Sequence, residues 1–241
     1  MTERSVPIWP ALAFGLAFPS LVTLAYFVVL AGQPVPAPQA AYVAGKAVQF
    51  AFPLLWVMAV TRRRPRPAWP VGGDLLAGAG FGVFVFVLML ALYHGVFKPL
   101  DVFAGAPTEA IRAKVRSFGV TGGGSFLALG LFYSVCHSLL EEYYWRWFVY
   151  GQLRRVGAVG VALVVSSVGF TAHHVIVLAV YFGWCSVWTY VFSAAVAVGG
   201  AVWAWLYERS GSLVAPWVSH LLVDAAIFTV GYDLVRDLLS P

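Results

Sequence analysis

Charged residues are scarce in this 241-residue sequence, and so are cysteines. Asp, Glu, Lys and Arg together make up 10% of the chain, whereas soluble domains carry about 25%. Apolar residues make up 61%, which excludes a disordered chain and argues against a soluble globular one. The two cysteines, Cys136 and Cys185, lie in apolar stretches and support neither a disulfide framework nor a structural zinc site. The composition predicts an all-α polytopic bundle of about seven or eight transmembrane helices in a single membrane domain, 1–241.

The long apolar runs indicate where these helices lie. At about 20 residues per span, seven spans are predicted: 8–31, 41–60, 75–97, 125–150, 161–182, 187–207 and 213–232. The third span contains Gly78, Gly80 and Gly82, small residues that permit close helix packing. In the N-terminal part of the chain, 1–124, residues 108–118 carry charges on one side and apolar side chains on the other. That pattern predicts a helix lying on the membrane surface.

The net charge of +5 does not indicate a nucleic-acid partner, because the basic residues are scattered among the loops. Their one cluster follows the second span, and clusters of this kind mark the cytoplasmic side of a membrane. We therefore expect a cytoplasmic N-terminus and a multi-pass protein of the cell (inner) membrane, surrounded by the lipid bilayer. The basic residues that then face inward are Arg4, Arg62, Arg63, Arg64, Arg66, Arg154, Arg155 and Arg209.

Several polar residues fall inside the predicted spans, where each charge costs about 2.5–3.5 kcal/mol on insertion scales. Glu142 and Arg146 are four residues apart, so they share a helix face and can pair. Glu141 is rotated by about 100° from Glu142 and points elsewhere into the bundle. His220 and Asp224 are also four residues apart and share a face. The full set is Glu141, Glu142, Arg146, His173, His174, His220 and Asp224.

Each of these residues also has a purely structural interpretation. A Glu–Arg pair near a helix end is more often a salt bridge than a catalytic site, and a single histidine in a bundle more often joins two helices by a hydrogen bond. We keep that interpretation for His137 and His94, and leave His173 open because it adjoins His174 but faces about 100° away. The aromatic residues that follow Glu142 are expected mainly to contact lipid or the membrane interface. They are Tyr143, Tyr144, Trp145, Trp147 and Phe148.

The set as a whole is harder to explain structurally, because three helices would each have to bury polar groups at similar depth by coincidence. Carboxylates and imidazoles in one apolar bundle can activate water. Glu141 can serve as general base, His174 can hold the same water, and His220, oriented by Asp224, can donate to a developing oxyanion. The ligand types also suit zinc, but the H-E-x-x-H helix of zinc proteases is absent. We therefore expect no cofactor, with zinc as the alternative.

Three short motifs follow one another on successive apolar segments. Residues 141–146 read E-E-x-x-x-R, residues 170–174 read F-x-x-x-H, and residues 220–224 read H-x-x-x-D. Together and in this order, over residues 125–232, they resemble the CPBP family, which comprises CAAX prenyl endopeptidases and bacteriocin-processing or immunity membrane proteins. The aromatic-rich motif region is compatible with a specialised bacterial branch of that family, such as the myxosortase-like processing proteases.

The resemblance implies an intramembrane glutamic endopeptidase that cleaves a membrane-associated protein, with residues 125–232 as its catalytic core. By that analogy Glu141 is the base, His174 positions the water, and His220 and Asp224 stabilise the oxyanion. Many family members have Asn in place of Asp224, and an Asp donates a hydrogen bond only when it is protonated. The residues implied to support the geometry, or to substitute for His174, are Glu142, Arg146 and His173.

Two other classes of protein fit part of the pattern. A non-enzymatic family member, acting as an immunity or scaffold protein, would not need the full set of polar groups. A proton-coupled transporter would use intramembrane Glu, His and Asp as a relay, but it would more often show two related halves or broken helices. Peptide turnover by the purified protein indicates a protease, and flux in liposomes indicates a transporter.

Overall fold

The computed structural model describes residues 8–34, 36–61 and 72–239. Within these ranges the chain is helical and contains no strand, and seven helices are long and apolar enough to cross a membrane. The all-α polytopic bundle predicted from composition is confirmed. In chain order the helices are α1 Ile8–Val29, α2 Ala37–Val60, α3 Gly72–Phe97, α4 Ala106–Ser117, α5 Gly123–Leu153, α6 Val159–Phe182, α7 Val187–Ser210 and α8 Val214–Leu239.

The predicted spans differ from these helices mainly at α8, which was expected to end at 232 and continues to Leu239. Its added turns hold charged residues that find partners on α3 and α4. Asp233 accepts hydrogen bonds from Tyr93 and Lys98, and Asp237 pairs with Arg112 at 2.7 Å. Hydropathy locates only the apolar part of α8. The helix continues beyond it because its charged side chains form hydrogen bonds and ion pairs with neighbouring segments.

Helix α3 packs along α8, and two glycines on α3 allow the backbones to approach closely. A Cβ atom at Gly78 would lie 2.3 Å from the carbonyl oxygen of Ala215, and one at Gly82 would lie 3.0 Å from Cα of Ser219. At Gly80, by contrast, nothing lies within 4 Å. The prediction of close packing is therefore confirmed for Gly78 and Gly82 and wrong for Gly80, which lies on a different face of α3. This contact fixes the first turns of α8.

Helix α5 contacts α1, α2, α6, α7 and α8, and its aromatic residues form the core of the bundle. The side chains of Tyr144, Trp145 and Phe148 are at most 1% exposed, so the expectation that they face lipid is wrong. Glycines on the neighbouring helices leave space for these aromatic side chains. A Cβ atom at Gly169 would come within 3.0 Å of Trp145, and the carbonyl oxygen of Gly15 accepts a hydrogen bond from Tyr144 at 3.0 Å.

Helix α4 turns its apolar side towards the bundle. Val115 is buried in a cluster with Phe126, Val235 and Leu239, which covers part of the face that was expected to meet the membrane. The surface position of α4 stays a prediction. So does the cytoplasmic N-terminus, because Arg4 and the cluster at 62–66, on which that orientation mainly rests, lie outside the described residues.

Candidate active site

Both glutamates of the first motif lie on a short α-helical stretch of α5, Ser138–Glu142. The segments on either side, Phe132–His137 and Tyr143–Tyr150, have the wider π-type hydrogen bonding. Such π-type segments are rare and frequently occur at functional sites, because they change which face of a helix the following residues occupy. Glu141 and Glu142 are 3% and 0% exposed, so two carboxylates are buried side by side inside the bundle.

Glu142 is held by two cationic or hydrogen-bonding groups. Its Oε1 atom lies 3.0 Å from Nη1 of Arg146 and 2.7 Å from Nδ1 of His220. Arg146 also donates a hydrogen bond to the carbonyl oxygen of Gly200 at 3.2 Å, and its guanidinium lies over the ring of Phe170. The spacing of four residues predicted that Glu142 pairs with Arg146, and this ion pair is present in the structure.

His220 is oriented from two directions. Its Nδ1 atom contacts Glu142, and its ring stacks on the indole of Trp203 with 4.0 Å between ring centroids. Trp203 is itself fixed by a hydrogen bond from Nε1 to the hydroxyl of Ser219 at 2.9 Å. Asp224 lies farther away, with 3.7 Å between its Oδ1 atom and Nε2 of His220. The carboxylate closest to His220 is therefore Glu142, whereas the sequence had suggested Asp224, because spacing along one helix cannot reveal a partner on another.

Glu141 is surrounded by imidazoles and forms no ion pair as short as those of Glu142. Its Oε1 atom lies 3.7 Å from Nε2 of His173 and 3.9 Å from Nε2 of His137. Its Oε2 atom lies 3.9 Å from Nε2 of His220. These nitrogens come from α6, α5 and α8, and each distance is beyond that of a good hydrogen bond but within reach of one shared water molecule.

The two neighbouring histidines of α6 have different surroundings. His173 is buried and faces Glu141, and its ring is parallel to that of Trp145, with 7° between the ring planes. His174 uses Nδ1 in a hydrogen bond of 2.9 Å with the carbonyl oxygen of Phe170, one turn earlier in the same helix. The ring centroids of the two histidines are 4.1 Å apart. The structure thus places His173 nearer to Glu141, and the choice of active histidine stays a prediction.

The structure gathers the candidate residues of α5, α6 and α8 into one cluster. It adds His137, for which we kept a structural interpretation and which lies against Glu141. The sequence could have indicated this contact, since His137 and Glu141 are four residues apart and so share a helix face. It also adds Trp203 of α7, which no motif indicated. His94, by contrast, is exposed on α3.

The ligand types at this site were the reason to consider zinc. Among the described residues, no group of three or more His, Cys, Asp or Glu side chains has the arrangement of a metal site. His220, moreover, directs Nδ1 at Glu142 and Nε2 between Glu141 and Asp224, so its nitrogens already face carboxylates. A mechanism without metal stays a prediction.

Comparison with known protein families identifies a match over the second half of the chain. Residues 123–226 match the family described as Type II CAAX prenyl endopeptidase Rce1-like. The matched region runs from the start of α5 into α8 and includes every residue of the three motifs. No curated protein and no solved structure matches the chain.

Proposed function

Residues 123–226 belong to the Rce1-like family of type II CAAX prenyl endopeptidases, and from that premise we propose that this multi-pass membrane protein is a glutamic intramembrane endopeptidase. One observation carries the proposal beyond the family. Two adjacent buried carboxylates have different surroundings, since Glu142 is tied to Arg146 and His220 while Glu141 faces imidazole nitrogens 3.7 to 3.9 Å away. The carboxylate free of a tight ion pair is the one that can accept a proton.

In the first step Glu141 acts as general base. A water molecule held between Glu141 and an imidazole of α6 loses a proton to the carboxylate while its oxygen attacks the carbonyl carbon of the scissile peptide bond. The C=O π electrons move to the carbonyl oxygen, which becomes the oxyanion of a tetrahedral intermediate. His173 is the nearer imidazole for holding the water, and His174 is the alternative.

In the second step the intermediate collapses. The carbonyl re-forms, the C–N bond breaks, and Glu141 returns its proton to the leaving nitrogen, so the products are a carboxylic acid and an amine. Until then the oxyanion needs hydrogen-bond donors. His220 supplies Nε2–H when protonated, and Asp224 supplies O–H in its protonated form. Glu142 accepts the hydrogen bond from Nδ1 of His220 and so directs the Nε2 atom away from itself.

The substrate class follows from the position of the site. A base buried among membrane-spanning helices is reached by a peptide segment that lies in or at the membrane, so we propose a membrane-associated protein as substrate and the cell (inner) membrane as location. Trp203 is proposed to keep the His220 ring in place while substrate binds.

The experiment is peptide cleavage by the purified protein in detergent micelles. A library of quenched fluorescent peptides with an apolar anchor is incubated with the protein, and the cleaved bond is identified by mass spectrometry. We expect turnover that persists after treatment with a chelator. Absence of turnover with every anchored peptide, together with proton-coupled flux in liposomes, would refute the proposal. Activity lost to a chelator and restored by stoichiometric zinc would overturn the metal-free mechanism while leaving the peptidase in place.

A further inference from the structure

Helix α2 carries a single charged residue, Lys46, in the middle of its apolar sequence. A charge at that depth is expensive to insert and is normally explained by a partner or a function. Among the residues that the structure describes, Lys46 has no carboxylate at ion-pair distance. Its ammonium lies instead over two rings of its own helix, 5.4 Å from the centroid of Phe50 and 5.7 Å from that of Tyr42.

These contacts direct Lys46 towards the active-site cluster. The ring of Phe50 meets the ring of His137 edge-on, with 6.3 Å between centroids, and His137 in turn lies against Glu141. Electrostatic interactions of the ammonium extend to Glu141, His137 and His173. The only charged group of α2 therefore lies on the side of that helix that packs towards His137, next to the carboxylate that we propose as the base.

The distribution of cations gives an independent reason. Within the described membrane-spanning helices, Lys46 and Arg146 are the two cations that lie away from the helix ends, since Arg209 and Arg236 belong to last turns. Arg146 is committed to Glu142 at 3.0 Å. Glu141 otherwise faces imidazoles, which are neutral in their unprotonated form. Lys46 is thus the remaining lysine or arginine in these helices that can balance Glu141.

We propose that Lys46 is a positioning residue of the active site, which keeps Glu141 ionised and directed into the imidazole cluster from a helix outside the matched region 123–226. This inference rests on the proposed function, because the base is Glu141. The α2 ammonium acts through Glu141 and takes no part in proton transfer. Through Lys46 the N-terminal helices contribute to catalysis as well as to the walls of the bundle.

Other groups also influence the ionisation of Glu141, so the test has to isolate Lys46. Titratable or charged groups face Glu141 from four helices. They are Lys46 and Tyr42 on α2, Tyr133, His137, Glu142 and Arg146 on α5, His173 and His174 on α6, and His220 and Asp224 on α8. A substitution at position 46 leaves all the others in place.

The first part of the test compares K46M, which removes the charge, with K46R, which keeps it. The matched control is K114M. Lys114 on α4 also lies over aromatic rings, 3.7 Å from the centroid of Tyr26, but belongs to no part of the site. An opposite charge nearby changes the ionisation equilibrium of a carboxylate by about tenfold or more. We expect the activity of K46M to be lost, as pH falls, at a pH about one unit or more above that of the wild type, and to recover as pH rises, because the carboxylate ionises less readily without the nearby cation. K46R and K114M keep the rate and the pH profile of the wild type.

The second part does not need activity. Thermal midpoints in detergent are measured for wild type, K46M, E141Q and the double variant K46M/E141Q. If the ammonium of Lys46 balances the carboxylate of Glu141, K46M lowers the thermal midpoint of the wild type. In the E141Q background, where that carboxylate is absent, K46M lowers the thermal midpoint less or raises it. Equal shifts in both backgrounds, or a K46R variant as inactive as K46M, overturn the role of Lys46. Coupling in the midpoints of a protein that cleaves no peptide would instead refute the proposed function and leave the charge pairing intact.

Discussion

Glu141 and Glu142 show how two identical neighbouring residues come to differ. The sequence indicated the difference, because Glu142 and Arg146 are four residues apart on one helix face, and the structure has them 3.0 Å apart. The second partner of Glu142, His220 on α8, could not be predicted from spacing, since it depends on how two distant helices pack. The same limit applies to Trp203 and Lys46, which reach the site from helices without a motif.

Replacing Glu142 tests its supporting role. Glu142→Gln leaves Arg146 and His220 without their carboxylate inside the bundle, and breaking a buried ion pair costs roughly 3–5 kcal/mol. We expect a clearly lower thermal midpoint together with lower peptidase activity. The control is Glu208→Gln, which removes one partner of the more exposed pair with Arg154 and should shift the midpoint little. Equal midpoints for the two variants would contradict the role given to Glu142.

The two histidines of α6 give a second residue-scale prediction. The sequence motif favours His174, whereas the geometry favours His173, whose Nε2 atom is 3.7 Å from Glu141. We expect His173→Ala to lower kcat by about 10²-fold, the loss that a misplaced reacting group can cause, and His174→Ala to have a smaller effect. The measurement is peptide turnover by each purified variant. A nearly inactive His174→Ala beside an active His173→Ala would return the role to the residue that the motif indicates.

At the scale of elements, hydropathy located the membrane helices well because each apolar run is long and bounded by polar, Gly or Pro residues. It could not locate the π-type segments that enclose Ser138–Glu142, because these depend on packing in the bundle. It also assigned the aromatic residues of α5 to lipid, although Gly15 and Gly169 on neighbouring helices make a buried position possible. Sequence composition describes each helix separately, whereas the burial of a side chain depends on how the neighbouring helices pack against it.

The packing of α3 against α8 can be tested with neighbouring glycines. Gly78→Ala would place Cβ 2.3 Å from the carbonyl oxygen of Ala215, so the helices must separate and the first turn of α8 must move. We expect a loss of about 1–3 kcal/mol, as for other overpacked sites, and reduced activity because His220 follows on the same helix. Gly80→Ala meets nothing within 4 Å and should match or exceed wild-type stability. A destabilised Gly80→Ala with an unaffected Gly78→Ala would contradict this packing.

At the scale of the whole molecule, the orientation in the membrane is open to a direct test. With a cytoplasmic N-terminus, the segment between α3 and α5 lies outside and the α5–α6 turn lies inside. Single cysteines at Arg116 and Arg155, both exposed, are introduced after replacement of Cys136 and Cys185. We expect an impermeant maleimide to label Arg116→Cys in intact cells and Arg155→Cys only after lysis. The opposite pattern would reverse the orientation.

The proposed reaction depends on one carboxylate in the middle of the bundle, that of Glu141. Glu141→Gln keeps the size and polarity of the side chain but cannot accept a proton. The most direct measurement is the rate of peptide cleavage by purified Glu141→Gln beside wild type and Glu208→Gln, with the thermal midpoint of each recorded in the same detergent. We expect turnover by Glu141→Gln to fall by about 10²–10⁴-fold in a protein that remains folded, while Glu208→Gln cleaves at the wild-type rate. Cleavage by folded Glu141→Gln at the wild-type rate would contradict the proposed reaction.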